Sequence, residues 1–277
     1  MKDRVTFTIE RDILRQVDNT IDGSTVKNRS HAVELLLIKA LGQNRPRKAL
    51  ILAGGSASRL KQLSPDLPKP LVPVQGKPIL EYNIEMLKKF DIKDIIVSIG
   101  MNGEKIKDYL GDGSKLGVKI TYVEETNPLG TAGPLRLARP YLTETFIMMN
   151  GDELKDIDLI DMYEFHKGQR AQCTIALTTG ESAADYGVAM LHGNKILSFV
   201  EKPSKKNAPS NLINAGCYIM EPSVIDLAPK GFGMLEQDIF PKLAKENKLY
   251  GYVFSGQWFD TNTVERYERA IKEWRAS

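Results

Sequence analysis

From Ala49 onward, short apolar runs of strand composition alternate with amphipathic runs at helical spacing, and this rhythm restricts the fold more than any other feature. Ala49-Leu50-Ile51-Leu52 reads as a buried strand. Residues 80–90 form an amphipathic helix, and 95–99 a strand closed by Gly100. A helix over 104–110, a strand over 118–123, a helix beginning at 134–138, a strand over 145–149 and a helix over 159–166 follow. Alternation of this kind lays strands parallel and covers both faces of the sheet with helices. The runs 171–178, 187–191, 196–200 and 215–220 come after with short turns, a more antiparallel stretch. The expected body is α/β, a mixed, mostly parallel sheet with helices on both faces.

The first 47 residues follow another pattern. Val5-Thr6-Phe7-Thr8-Ile9 alternates, with Val5, Phe7 and Ile9 on one face and Arg4, Thr6 and Thr8 on the other. Ile13, Leu14, Val17 and Ile21 recur at helical spacing until Asp22-Gly23-Ser24 stops the helix. Ser30 is the expected N-cap of a second helix over 31–41, ended by Gly42. A strand and two helices of this size bury too little apolar surface to stand alone, and a lone strand leaves its backbone unpaired. Two copies that pair strands and pack helices remove both deficits. The segment also holds nine Lys/Arg against six Asp/Glu, the whole of the chain's net charge of +3.

This order of elements resembles the ribbon-helix-helix (β-α-α) family of DNA-binding domains, over roughly residues 2–42. The resemblance implies an obligate dimer in which Arg4, Thr6 and Thr8 read bases of duplex DNA in the major groove. The start of the second helix, near Asn28, Arg29 and Ser30, would hold a backbone phosphate. Left open is a head that only joins copies into a homodimer or higher oligomer. The expected organisation is a head over 1–43, a polar linker with a helix-blocking proline over 44–48, and a body over 49–277.

Hydrophobic residues at 42% and charged residues at 26% are globular proportions. No apolar run approaches the ~18 residues of a membrane span, and no apolar stretch of secretory length follows Met1-Lys2-Asp3-Arg4. Cys173 and Cys217 lie in apolar runs without metal-type spacing, which reads as two buried thiols in a reducing compartment. A cytoplasmic location without a membrane partner is expected.

The first strand of the body runs into Gly54-Gly55-Ser56-Ala57-Ser58-Arg59-Leu60. The loop after the first strand of a doubly wound sheet is where phosphates sit. Its glycines let backbone approach an anion, and Arg59 adds a planar fork suited to phosphate oxygens. Pro68-Lys69-Pro70 and Gly76-Lys77-Pro78 follow, then Leu129-Gly130-Thr131-Ala132-Gly133, Asn150-Gly151-Asp152, Tyr186-Gly187, Glu201-Lys202-Pro203, Asn214-Ala215-Gly216 and Trp258-Phe259-Asp260. In that order these motifs resemble the sugar-1-phosphate nucleotidyltransferases, and most of all their mannose-1-phosphate guanylyltransferase branch. The resemblance spans about 210 residues, from Leu52 to Asp260. It implies a Rossmann-like body that joins an NTP to a sugar 1-phosphate with Mg²⁺, GTP being favoured and dTTP or UTP left open.

The resemblance also assigns roles. Arg59 and Lys69 match the cations that grip the triphosphate and departing pyrophosphate, and Lys202 the one that holds the sugar phosphate. Asp152 and Asp260 match the carboxylates that hold Mg²⁺. Leu52, Ala53, Gly54, Gly55, Ser58, Gly130 and Thr131 would bind the nucleotide, and Gly187, Glu201 and Asn214 the sugar. Lys69, Asp152, Lys202 and Arg59 form the expected catalytic set. Three positions depart from the pattern: Ala57 replaces a glycine, Ser58 a threonine, and Thr261-Asn262-Thr263 stands for Ile-Gly-Thr. Asn262 is expected to keep that turn because it tolerates left-handed backbone. A second expectation is a DNA-binding regulator whose enzyme-like body senses a nucleotide or nucleotide sugar.

Overall fold

A computed structural model describes residues 4–24, 26–40, 45–55, 67–180, 183–204 and 206–276. Ala57, Ser58, Arg59 and Gly42 therefore lie outside the described residues. The chain divides into two units, 1–45 and 46–277.

In the first unit, helix α1 (Arg11–Asn19) packs on α2 (Arg29–Ala40) and buries Val17 and Ala32. The Arg29 guanidinium grips the Asp18 carboxylate with two bonds of 2.7 Å. The expected helix start shifts: the side chain of Asn28, not Ser30, accepts the free N–H of His31 at 3.0 Å. Residues 4–10 form no strand. Strand backbone needs a hydrogen-bonding neighbour, and the single chain supplies none here. Val5 and Phe7 are left 73% and 54% exposed.

In the second unit, in chain order, stand β1 (Lys48–Leu52), β2 (Pro73–Val74), β3 (Lys77–Pro78), α3 (Ile79–Lys89), β4 (Asp94–Ile99), α4 (Gly103–Leu110), β5 (Lys119–Glu124), α5 (Gly133–Ala138), β6 (Phe146–Asn150), β7 (Glu153–Lys155) and α6 (Leu159–Gln169). Then come β8 (Cys173–Thr179), β9 (Gly187–His192), β10 (Lys195–Glu201), β11 (Leu212–Met220), α7 (Phe240–Lys245), β12 (Leu249–Val253), β13 (Trp258–Asp260) and α8 (Val264–Glu273). Nine strands make one sheet in the order β5-β4-β1-β6-β11-β8-β12-β10-β9.

Parallel pairing is confined to β5-β4-β1-β6 and to β12 beside β8. The rest is antiparallel, so the sheet is mixed but not mostly parallel. The reason is β11, which returns between β6 and β8 and runs against both. Central strands face apolar layers on both sides. On β4, Ile95, Val97 and Ile99 point into the layer under α3, α4 and α6, and Ile96 into the layer under α5 and α7. Such strands carry nearly continuous apolar sequence, which is why they were readable.

A small third layer is built by the C-terminal segment. Trp274 packs with Val74, Ile79 and Leu154, edge-on to Tyr82 and Phe259. It clamps α8 to the β2–β3 hairpin and so backs the β13 strand that ends in Asp260. Both cysteines are free and buried, and burial pushes the Cys217 thiol up to about 11. Among the described residues no helix is long and apolar enough to cross a membrane.

Candidate active site

The chain leaves β1 toward β4 on one side and later returns to β6 on the other, so the carboxyl end of β1 is a topological switch point. Ala53 N donates to Ser98 O at 2.8 Å and Gly151 N to Leu52 O at 2.9 Å, which ties the ends of β4 and β6 to β1. A Cβ on Gly54 would fall 2.5 Å from Glu125 Oε1, so this glycine is there for close approach. Glu125, which motif matching missed, accepts Ser98 Oγ at 2.9 Å and Leu129 N at 3.0 Å. Its carboxylate thus joins Ser98, at the end of β4, to the segment bearing Gly130, and packs against Gly54.

Thr131, assigned to the nucleotide, has two partners within the fold. Its hydroxyl donates to Glu236 at 2.8 Å and accepts Leu235 N at 2.8 Å. Burial pushes the Glu236 carboxyl up. Thr131 therefore anchors the glycine segment to the turn Leu235–Ile239 ahead of α7.

Lys69 sits between two prolines and is only 7% exposed. Its ammonium donates to Asp152 Oδ2 at 2.5 Å and to Asn262 Oδ1 at 2.7 Å. Below the Asn150-Gly151-Asp152 turn lies a buried polar cluster that the sequence pattern did not reveal. Lys155 Nζ donates to Asn150 O at 3.0 Å and Gly216 O at 3.1 Å, and pairs with Glu153 at 3.6 Å. Glu153 also accepts Asn150 Nδ2 at 2.9 Å, and desolvation raises its pKa.

Strand β13 runs antiparallel to β7 with Asp260 opposite Glu153, and Thr261 Oγ1 donates to Asp152 O at 3.1 Å. The two carboxylates assigned to Mg²⁺ therefore lie on neighbouring backbone. Asp260 is buried: Oδ1 accepts Asn262 N at 2.8 Å, and Oδ2 accepts the Tyr186 hydroxyl with Arg266 3.4 Å away. Burial raises the Tyr186 pKa. Arg266 lies 5.0 Å over the Tyr186 ring and pairs with Asp185. Tyr186, Asp260 and Arg266, with Trp258, Phe259 and Arg269, line a cleft of about 310 Å³.

The donor chemistry fits a hard dication. Asp152 is partly exposed and keeps one oxygen without a hydrogen bond among the described residues, while Asp260 Oδ1 accepts a single N–H and Oδ2 is shared by the Tyr186 hydroxyl and Arg266. Among the described residues no three His, Cys, Asp or Glu side chains converge on a metal position. Waters or substrate phosphate oxygens would complete the shell, the usual habit of Mg²⁺. Asp158 instead caps α6, accepting Ile160 N at 3.0 Å and Asp161 N at 2.9 Å, as helix-terminal charge.

At the far side, Lys202 ends β10 at φ +46° with its N–H on Tyr186 O at 3.0 Å. Its ammonium is exposed and 3.7 Å from Glu201, whose pKa burial raises. Gly187 faces Glu201 across the ladder and leaves no room for a Cβ, which would fall 2.3 Å from the Phe199 ring. Asn214, assigned to the sugar, has partners within β11. Its amide donates to the Tyr218 hydroxyl at 2.8 Å and accepts Gly216 N at 3.0 Å, bracing the bulge in β11. Asn262 departs from expectation: its φ is not left-handed, and its side chain serves Lys69 instead.

A glycine backbone, a buried lysine on an aspartate and a second carboxylate on the neighbouring strand thus gather at the sheet's switch point. The chain belongs to the nucleotidyl transferase family, whose model matches residues 48–277. It is 38% identical over 232 residues to mannose-1-phosphate guanylyltransferase 1 of Arabidopsis thaliana, covering 81% of this chain and 64% of that protein. It is 36% identical over 242 residues to UTP–glucose-1-phosphate uridylyltransferase of Synechocystis, with 81% and 62% covered. The chain thus spans less than two thirds of the length of these relatives. Among solved structures, HddC from Yersinia pseudotuberculosis complexed with GMP-PN superposes with a TM-score of 0.70 at 27% identity, over 83% of this chain and all of the other. A UDP-glucose pyrophosphorylase complexed with UDP-glucose shares the fold at 22% identity and a TM-score of 0.71, over 82% of this chain and 97% of the other.

Proposed function

We propose that the body is a sugar-1-phosphate nucleotidyltransferase, forming an NDP-sugar and pyrophosphate from an NTP and a sugar 1-phosphate. The observation that carries this is the buried Lys69–Asp152 pair at the switch point, beside the glycine backbone that follows β1. In the reaction a sugar-phosphate oxygen bonds to the α-phosphorus as the bond to the bridging oxygen of pyrophosphate breaks. The electron pair leaves with pyrophosphate. The attacking phosphate is already anionic, so no strong base is required, and the protein's task is alignment and positive charge. Lys69, with Arg59, grips the triphosphate and pyrophosphate, and Lys202 the sugar phosphate. Gly187 and Glu201 face the sugar. Asp152 and Asp260 would hold Mg²⁺, which when bound neutralises charge on the leaving pyrophosphate.

The nucleotide is read as GTP. The Glu125 carboxylate beside Gly54 and Leu129 accepts hydrogen bonds and donates none, and an ionised carboxylate still has lone pairs after its two present bonds. Guanine offers N–H donors on the edge where uracil and thymine place a carbonyl oxygen. The Arabidopsis guanylyltransferase and the GMP-PN complex of HddC support the same choice. Mannose 1-phosphate is the first sugar to test. The experiment is pyrophosphate release with GTP, UTP and dTTP against mannose and glucose 1-phosphates. Release with GTP and mannose 1-phosphate is expected, and silence from every pair sinks the proposal.

The head is read as a ribbon-helix-helix unit that joins two copies, because the apolar side chains of Val5, Phe7 and Ile13 stand exposed among the described residues. A DNA role for Arg4, Thr6 and Thr8 rests on their exposure alone.

A further inference from the structure

The Lys69 ammonium has two oxygen acceptors drawn from distant parts of the chain, Asp152 Oδ2 at 2.5 Å and Asn262 Oδ1 at 2.7 Å. At 7% exposure it gains little from water, and a buried ammonium that loses an acceptor is costly. Asn262 stands where the motif resembled by this segment has glycine, and the turn does not exploit the left-handed tolerance of asparagine. Instead its N–H is tied to Asp260 Oδ1 at 2.8 Å, and the next residue, Thr263, caps α8. Those two attachments hold the amide oxygen on Lys69.

The roles proposed for Asp152 and Lys69 compete. A divalent cation on the Asp152 carboxylate repels an ammonium lying 2.5 Å from the same group. We propose that Asn262 is a positioning residue for Lys69: its neutral amide oxygen retains the ammonium when Asp152 is given over to a divalent cation. The lysine then stays in the site, paired and oriented, rather than being driven out or left buried without an acceptor. This rests on Asp152 being the cation ligand. A glycine at 262 has no side chain to do the same.

The test uses the full chain and Mn²⁺ alone as probe, with free Mn²⁺ followed by electron paramagnetic resonance. Asn262→Gly is expected to weaken Mn²⁺ binding about 10- to 150-fold, the scale of one hydrogen bond to a charged group. Asn262→Asp keeps an acceptor at the same reach and is expected to bind at least as tightly as wild type. In a Lys69→Met background there is no ammonium to hold, so adding Asn262→Gly should leave the affinity within about twofold. An equal loss in both backgrounds places the effect in the turn and overturns the proposal, as does an unchanged affinity in Asn262→Gly or a weakened one in Asn262→Asp. Asp152→Asn separates the two levels. Mn²⁺ retained there overturns the cation site and the inference together, whereas Mn²⁺ lost there but unchanged in Asn262→Gly overturns the inference alone.

Discussion

A Cβ on Gly130 would lie 2.3 Å from the carbonyl oxygen of Gly233, and the Gly130 backbone is held at φ +72°. No alanine fits without moving one of the two segments. Around this contact Ala132 N donates to Gly233 O at 2.9 Å and Gly233 N to Leu129 O at 3.0 Å, so the nucleotide-side loop is laced to the chain ahead of α7. Gly130→Ala is therefore expected to cost about 1–3 kcal/mol of stability, from backbone strain. It should also raise KM for the nucleotide at least tenfold while KM for the sugar phosphate moves little. Urea unfolding and initial rates against each substrate check this, and an equal rise in both KM values counts against the placement of the nucleotide.

Glu125→Gln tests the base. The amide replaces one acceptor by a donor, which cannot pair with the N1–H and N2–H donors of guanine. GTP turnover is expected to fall at least tenfold in kcat/KM, with UTP or dTTP gaining relative to it. If the preference among the three nucleotides is unchanged, Glu125 does not face the base.

His166 supplies a pH dependence away from the site. It is fully buried between Thr174, at 2.8 Å, and Glu221, at 3.4 Å. Burial lowers its pKa from 6.5 to about 4. The unfolded chain then binds a proton in a range where the folded chain does not, so stability falls as pH drops from about 6.5 toward 4. The full effect is about 3 kcal/mol. His166→Gln should flatten that part of the stability curve, as read from thermal midpoints between pH 7 and 4.5. A wild-type curve flat across this window rules out the assignment.

In the head, Phe7→Asp puts a charge among the exposed apolar side chains read as the copy-to-copy contact. The wild-type protein is expected to sediment as a dimer and the variant as a monomer, with catalytic rates per chain unchanged. A wild type that sediments as a monomer ends that proposal, and a gel-shift titration with duplex DNA decides the role of Arg4.

Where the protein was readable from its residues, the reason is local. Strands β1, β4 and β6 lie between two apolar layers, so their own composition announces them, and the helices between them carry a repeat of 3.6. Lys69, Asp152, Lys202 and Asp260 could be nominated because each sits in a short motif. Strands β2, β3, β7 and β13 are two or three residues long and have no period to detect; they exist because neighbours pair with them. The antiparallel return of β11 beside β6 is likewise a pairing choice between distant segments.

The same division runs through the site. Residue type and motif order singled out Asn214, Thr131 and Asn262, but only the folded chain shows their hydrogen-bond partners. Asn214 braces a bulge, Thr131 holds Glu236, and Asn262 meets a lysine 193 positions away. Composition and spacing carry the burial of an element and the chemistry of a side chain, since both are properties of the residue itself. Which acceptor an ammonium finds depends on where the folded chain brings its oxygens, and no local pattern contains that.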